Sequence, residues 1–171
     1  MAAIVTINEH NTSTPGTRTD KTSAVIRCRT NDSAVVDANN PIVKPISGNA
    51  RSYEKWIRLR IEGVGPAFTI NNIQFYTTGG PGGNAVVYAR TTNPGTYATP
   101  AIPANDSAGT DVTGYPTSNR KSMSVANAGP YAATNADMGD FLVVWMTIDS
   151  GITAPQTPTS SLNMYFSYDE V

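Results

Sequence analysis

The sequence predicts an all-β protein, an antiparallel β-sandwich of jelly-roll-like type with long irregular loops and an extended N-terminal arm. Three observations carry that expectation. The polar content is Thr, Asn and Ser rather than Lys and Glu, which disfavours helical bundles. Short segments alternate apolar with polar residues at the period of a strand. Turn signals built from Gly, Pro and Asn separate them at intervals too short for ordinary helices. A closed barrel is the second choice. With 171 residues, of which 39% are apolar, the chain can bury one good core, so a single domain over residues 23–171 follows an arm over 1–22.

Residues 8–22 hold no Val, Ile, Leu or aromatic side chain and read as a flexible polar arm. Ser23 to Arg29 alternates, with Ala24, Ile26 and Cys28 on one face and Arg27 and Arg29 on the other, so a strand is expected there with Cys28 as a small buried residue. The prolines at 41 and 45 make about 37–50 connecting chain or an edge.

Tyr53 to Glu62 shows the clearest period, with Ile57, Leu59 and Ile61 alternating with Arg58, Arg60 and Glu62. Gly63 to Pro66 ends that strand. A second runs over 67–77, with a change of phase at Asn71-Asn72 that signals a bulge or turn. After the loop Gly79-Gly80-Pro81-Gly82-Gly83, residues 85–90 form another strand, and the three are expected as an antiparallel meander. Residues 92–120 read as a long irregular excursion, with a short edge strand at most. A short strand over 121–126 and a helical turn or two over 131–138 follow. Phe141 to Ile148 is the most apolar run and should be a central strand covered on both faces. Leu162, Met164, Phe166 and Tyr168 mark a docked C-terminal strand.

Composition excludes several chemistries. One cysteine, Cys28, makes no internal disulfide, and one Cys with one His cannot complete a protein-only tetrahedral zinc site. No metal or other cofactor is expected. No run of 18 apolar residues and no basic-then-apolar start is present, so neither a membrane span nor a secretory signal is expected, and synthesis in a cytoplasm is. The net charge of -1 gives no overall attraction for nucleic acid. It is unevenly spread: residues 1–62 carry nine basic and six acidic side chains, residues 63–171 three and seven.

Catalytic constellations are weak. His10, the single histidine, lies in the arm, where nothing would hold an imidazole. Asp169 and Glu170 are adjacent and point to opposite faces of a strand, and Asp137 and Asp140 straddle Gly139, so solvated carboxylates are the simpler reading. Asn105, Asp106, Asp111 and Thr113 read as turn formers rather than calcium ligands. The glycine loop lacks the Lys-Ser/Thr of a phosphate loop. Arg27/Arg29 and Arg58/Arg60, with Trp56 alongside, suit either a solvated sheet face, Trp56 lying on the stem of Arg58, or an acidic neighbour in an assembly. No enzymatic activity is expected.

Tyr53-Glu54-Lys55-Trp56-Ile57-Arg58-Leu59-Arg60-Ile61, followed by Phe68-Thr69-Ile70-Asn71-Asn72-Ile73-Gln74-Phe75-Tyr76, and the closing Leu162 to Glu170 resemble small β-sandwich proteins of tailed bacteriophages, encoded among the virion structural genes. The resemblance implies a capsid decoration (cement) protein. Such a module sits on the outside of the virion shell, binds the major capsid protein and ties neighbouring subunits together, often as a homotrimer. It implies no catalytic residue and no direct contact with nucleic acid or membrane. Contacts are expected from the arm and from the excursion over 92–120, with Arg18, Lys21, Trp56, Arg58, Arg60, Tyr97 and Tyr115 as the candidate interface side chains. Two alternatives stand beside it: a tail, neck or receptor-binding virion component, and a carbohydrate-binding module stacking sugars on Trp56, Tyr76, Tyr88 or Tyr97.

Overall fold

Alternation of apolar and polar residues places Ile57, Leu59 and Ile61 on one face of β4 (Lys55–Gly63), and all three are buried in a common core. The same core takes Ile70, Ile73 and Phe75 from β5 (Ile70–Thr78), Val87 and Ala89 from β6 (Ala85–Thr92), and Met138, Leu142 and Val144 from β9 (Ala136–Asp149). A computed structural model describes residues 3–14, 16–36, 39–63, 69–82, 84–123, 129–132, 135–151 and 162–171. Among these residues there is no α-helix, and two antiparallel sheets form a β-sandwich.

The larger sheet has seven strands. Its main path runs β2 (Thr17–Asp20), β1 (Ile4–Asn11), β4, β9, β6 and β7 (Thr110–Asp111), and β3 (Asn49–Arg51) pairs with the far end of β9. The smaller sheet orders β10 (Asn163–Glu170), β5 and β8 (Lys121–Ser122). As expected, β9 is central, pairing with β4 on one side and β6 on the other. Leu162, Met164, Phe166 and Tyr168 pack β10 onto the core. The phase change in β5 is a bulge: Asn72 has φ of 53°, and the register against β10 shifts there.

The structure corrects several expectations. Residues 8–22 are not an arm, because β1 pairs with β4 from Ile4 to His10 and turns back as β2. Residues 23–29 are not a strand. Ala24 N–H closes a turn on the Lys21 carbonyl, and Arg29 is buried, its carbonyl accepting from Tyr53 N–H. Cys28 is half-buried on a cleft of about 720 Å³ between the sheets, lined by apolar side chains including Leu142, Met146, Met164 and Phe166. The meander is absent, since β4 and β5 lie in different sheets and β6 pairs with β9. No helical turn occupies the described part of 131–138: Tyr131 bridges to Ile70 and β9 has begun by Ala136. The extension of a strand to 124–126 lies outside the described residues.

The excursion over 92–120 is irregular, as expected, with 3-10 turns at Pro94–Thr96 and Val112–Gly114 flanking the two-residue edge strand β7. It folds across the outer face of the larger sheet. Asp106 accepts from both Arg51 Nε (2.8 Å) and Arg51 Nη2 (2.9 Å), from Trp145 Nε1 (2.9 Å) and from Thr147 Oγ1 (2.8 Å). Gly109 lies so close to Trp145 that a Cβ there would overlap the indole. The central strand is therefore covered on both faces, one by the small sheet and one by this excursion.

Candidate interaction surface

The outer face of the larger sheet gathers five of the seven interface candidates. Arg18 on β2 and Arg58 and Arg60 on β4 converge on Asp137 of β9, at 3.0, 3.9 and 3.2 Å. Asp137 is thus no solvated loop carboxylate, and Asp140, beyond the bulge at Gly139, is buried. Trp56 is buried and packs edge-on to Tyr97 (5.2 Å) and Phe141 (5.4 Å). Arg58 lies over Phe141 (5.3 Å), while the guanidinium near the Trp56 ring is that of Arg90, at 5.9 Å. Glu54 ties these groups, accepting from Trp56 Nε1 (3.0 Å) and Arg90 Nη2 (2.7 Å). Tyr97 donates to the Thr12 carbonyl at 2.7 Å, fastening the excursion to the β1–β2 turn, and burial with the nearby Asp32 charge pushes its hydroxyl up to about 12. The other two candidates lie elsewhere: Tyr115 packs on Phe75 (6.2 Å) at the core, and Lys21 is buried beside Glu9. Arginine and carboxylate thus satisfy one another on this face.

His10, far from being loosely held, is 3% exposed and meets Phe141 edge-on at 5.0 Å. Neither ring nitrogen has a hydrogen-bond partner among the described residues. Burial depresses its proton affinity to about 4; Asp137 opposes this, and Arg58 and Arg18 reinforce it.

A second surface was not singled out from the sequence. Between β2 and β3 the chain runs irregularly over the described residues 21–36 and 39–48, and much of its polarity is reversed. Its polar groups are the anchors: Lys21 is buried, Arg29 is buried, Asp32 accepts from Asn11 Nδ2 and Thr12 N–H, and the Ser33 carbonyl accepts from Lys55 Nζ at 2.7 Å. Ile26 packs on the core, but five other apolar side chains face solvent: Val25, Val35, Val36, Val43 (72% exposed) and a fully exposed Ile46. Singly such residues are ordinary; five on one anchored segment make it a candidate contact surface. In the sequence they are indistinguishable from core residues, because only the fold shows that Lys21 and Arg29 have taken the interior.

A third feature lies on the outer face of the small sheet. Tyr76 and Tyr165 stack at 5.0 Å and 13°, with the Arg120 guanidinium 4.7 Å from the Tyr76 ring. Among the described residues no group of three or more His, Cys, Asp and Glu side chains is placed to hold a metal ion, and no helix is long and apolar enough to cross a membrane. No family model, curated protein or solved structure matches the chain.

Proposed function

We propose that this protein works by docking onto other proteins, as a non-enzymatic decoration protein of a phage capsid exterior. The observation that carries the reading is the segment over residues 21–36 and 39–48, where buried polar anchors leave Val25, Val35, Val36, Val43 and Ile46 exposed to solvent. Ordering such a segment while most of its apolar residues stay in water gains little, and a partner surface completes the arrangement. The resemblance of Tyr53 to Ile61, of Phe68 to Tyr76 and of the C-terminal strand to small virion proteins supplies the partner class: the major capsid protein, engaged by several copies, a trimer among the arrangements that fit. Each Val or Ile that passes from solvent to interface contributes about 1–2 kcal/mol, and repeated sites on a lattice multiply the effect.

The test is co-sedimentation of the purified chain with shells lacking it. Saturable binding at a copy number commensurate with the lattice is expected. No binding overturns the reading, and a handful of copies per particle moves the protein to a vertex, neck or tail. A second reading is favoured by Tyr165, whose ring is partly exposed beyond the stack with Tyr76 and resembles a sugar-stacking face. Glycan-array binding abolished by Tyr165→Ala, without affinity for shells, would establish that alternative.

A further inference from the structure

Lysine is seldom fully buried, yet Lys55 is wholly inaccessible. Its Nζ donates to Glu9 Oε1 at 3.0 Å, and Glu9 is 1% exposed. The same oxygen accepts from Asn11 Nδ2 at 3.2 Å. An amine and a carboxamide are therefore held on one carboxylate oxygen, shielded from water. The strands explain how. Glu9 pairs with Ile57 and His10 with Trp56 in the β1–β4 ladder, so the next step along brings Asn11 beside Lys55. Lys55 and Asn11 then point with Glu9 to one face of the sheet, by the two-residue period.

We propose that Lys55 and Asn11 close an intramolecular isopeptide bond, with Glu9 as the catalytic proton shuttle. Glu9 Oε1 first accepts a proton from the Lys55 ammonium, leaving Nζ with a free electron pair. Nζ attacks Cγ of Asn11, forming the new C–N bond and placing charge on Oδ1. Glu9 gives its proton to Nδ2, the charge on Oδ1 returns to re-form the carbonyl as the Cγ–Nδ2 bond breaks, and ammonia leaves while one of the two protons on Nζ passes to Glu9, the other staying as the N–H of the new amide. A final proton transfer from Glu9 releases ammonium, so the lysine's positive charge departs with it and no oxidant or other reactant is consumed. Asp32 Oδ1, 2.5 Å from Nδ2, orients the amide, and Lys21, 3.9 Å from Glu9 Oε2, keeps a positive charge beside the carboxylate. Holding the two reactants together replaces a very slow bimolecular aminolysis with an intramolecular step.

Mass spectrometry of the purified full-length chain tests this. The expected mass is about 17 Da below that of the unlinked chain, the loss of one ammonia. Trypsin is expected to release residues 1–18 joined to residues 52–58, with no cleavage after Lys55. Glu9→Gln is expected to slow closure by about a hundredfold or more, and Lys55→Arg to abolish it. Full mass with separate peptides from the folded wild-type chain after prolonged incubation overturns the proposal, as does a link through any other pair. Because the wild-type chain alone decides the point, a variant that fails to fold leaves the test intact, and the outcome is independent of shell binding.

Discussion

His10 gives the most sharply defined perturbation, because it is the only histidine in the chain. Burial against Phe141 and Tyr97 brings its proton affinity from 6.5 to about 4, Asp137 on β9 partly offsetting the effect and Arg58 on β4 and Arg18 on β2 adding to it. A group whose folded value lies below its unfolded value contributes full stability above the unfolded value and loses it as pH falls to the folded one. The difference corresponds to about 3 kcal/mol, present above pH 6.5 and gone by about pH 4. Proton NMR should show a single imidazole titrating near 4. Urea unfolding at pH 7, 6, 5 and 4 should show the wild type losing that stability, while His10→Phe, which keeps an edge contact with Phe141 and removes two unpartnered nitrogens, loses much less over the same range. An imidazole that titrates near 6.5, or a His10→Phe protein with the wild-type pH slope, would refute the reasoning.

Other expectations follow from the same geometry. Although its burial works in the opposite direction, the hydrogen bonds from Arg51, Trp145 and Thr147 hold the Asp106 carboxyl down to about 2, so its contribution of about 2 kcal/mol is present above pH 3.8 and lost as pH falls toward 2. Asp106→Asn should remove most of that acid-range slope, which thermal melts at pH 4 and pH 2.5 would read. Gly109→Ala forces a Cβ into the Trp145 ring and should cost about 1–3 kcal/mol, seen as a melting temperature lower by roughly 3–10 °C. Tyr97→Phe removes one hydrogen bond to Thr12 and should cost about 1 kcal/mol, with faster amide exchange at the β1–β2 turn. Replacing Val35, Val43 and Ile46 together by Ser should leave the melting temperature nearly unchanged, since all three are exposed, while lowering shell affinity at least tenfold in sedimentation.

The strands legible in the sequence are those that bury one face among apolar neighbours. β4, β5 and β10 show the two-residue period, and β9 shows the unbroken apolar run of a strand covered on both sides. Even the bulge of β5 is visible, because Asn71-Asn72 interrupts the phase. β1 is illegible for a physical reason. Its buried residues past Ile7 are Asn8, Glu9, His10 and Asn11: hydrogen bonds and a buried ion pair with Lys55 hold Asn8, Glu9 and Asn11, and ring packing on Phe141 holds His10. Hydrophobic periodicity carries no trace of such a network. Partner choice was equally hidden. Nothing local distinguishes β6 pairing with β9 from β6 closing a meander on β5, and that choice is made by burying Phe141 to Ile148 between two layers. Among the site residues, Arg18, Arg58, Arg60, Trp56 and Tyr97 do share a face, as the alternation in β4 suggests, but Asp137, the carboxylate on which the three arginines converge, lies nearly eighty residues from Arg60. The exposure of Val25, Val35, Val36, Val43 and Ile46 is not legible, because in a linear reading they look like core.

The most direct test of the docking account is hydroxyl-radical footprinting of the free and shell-bound protein. Protection centred on Val35, Val36, Val43 and Ile46, with the apolar core side chains of β9 equally protected in both states, is the expected result. Unchanged reactivity along residues 21–48 on shells that have taken up the protein, with protection confined to another face, would contradict it.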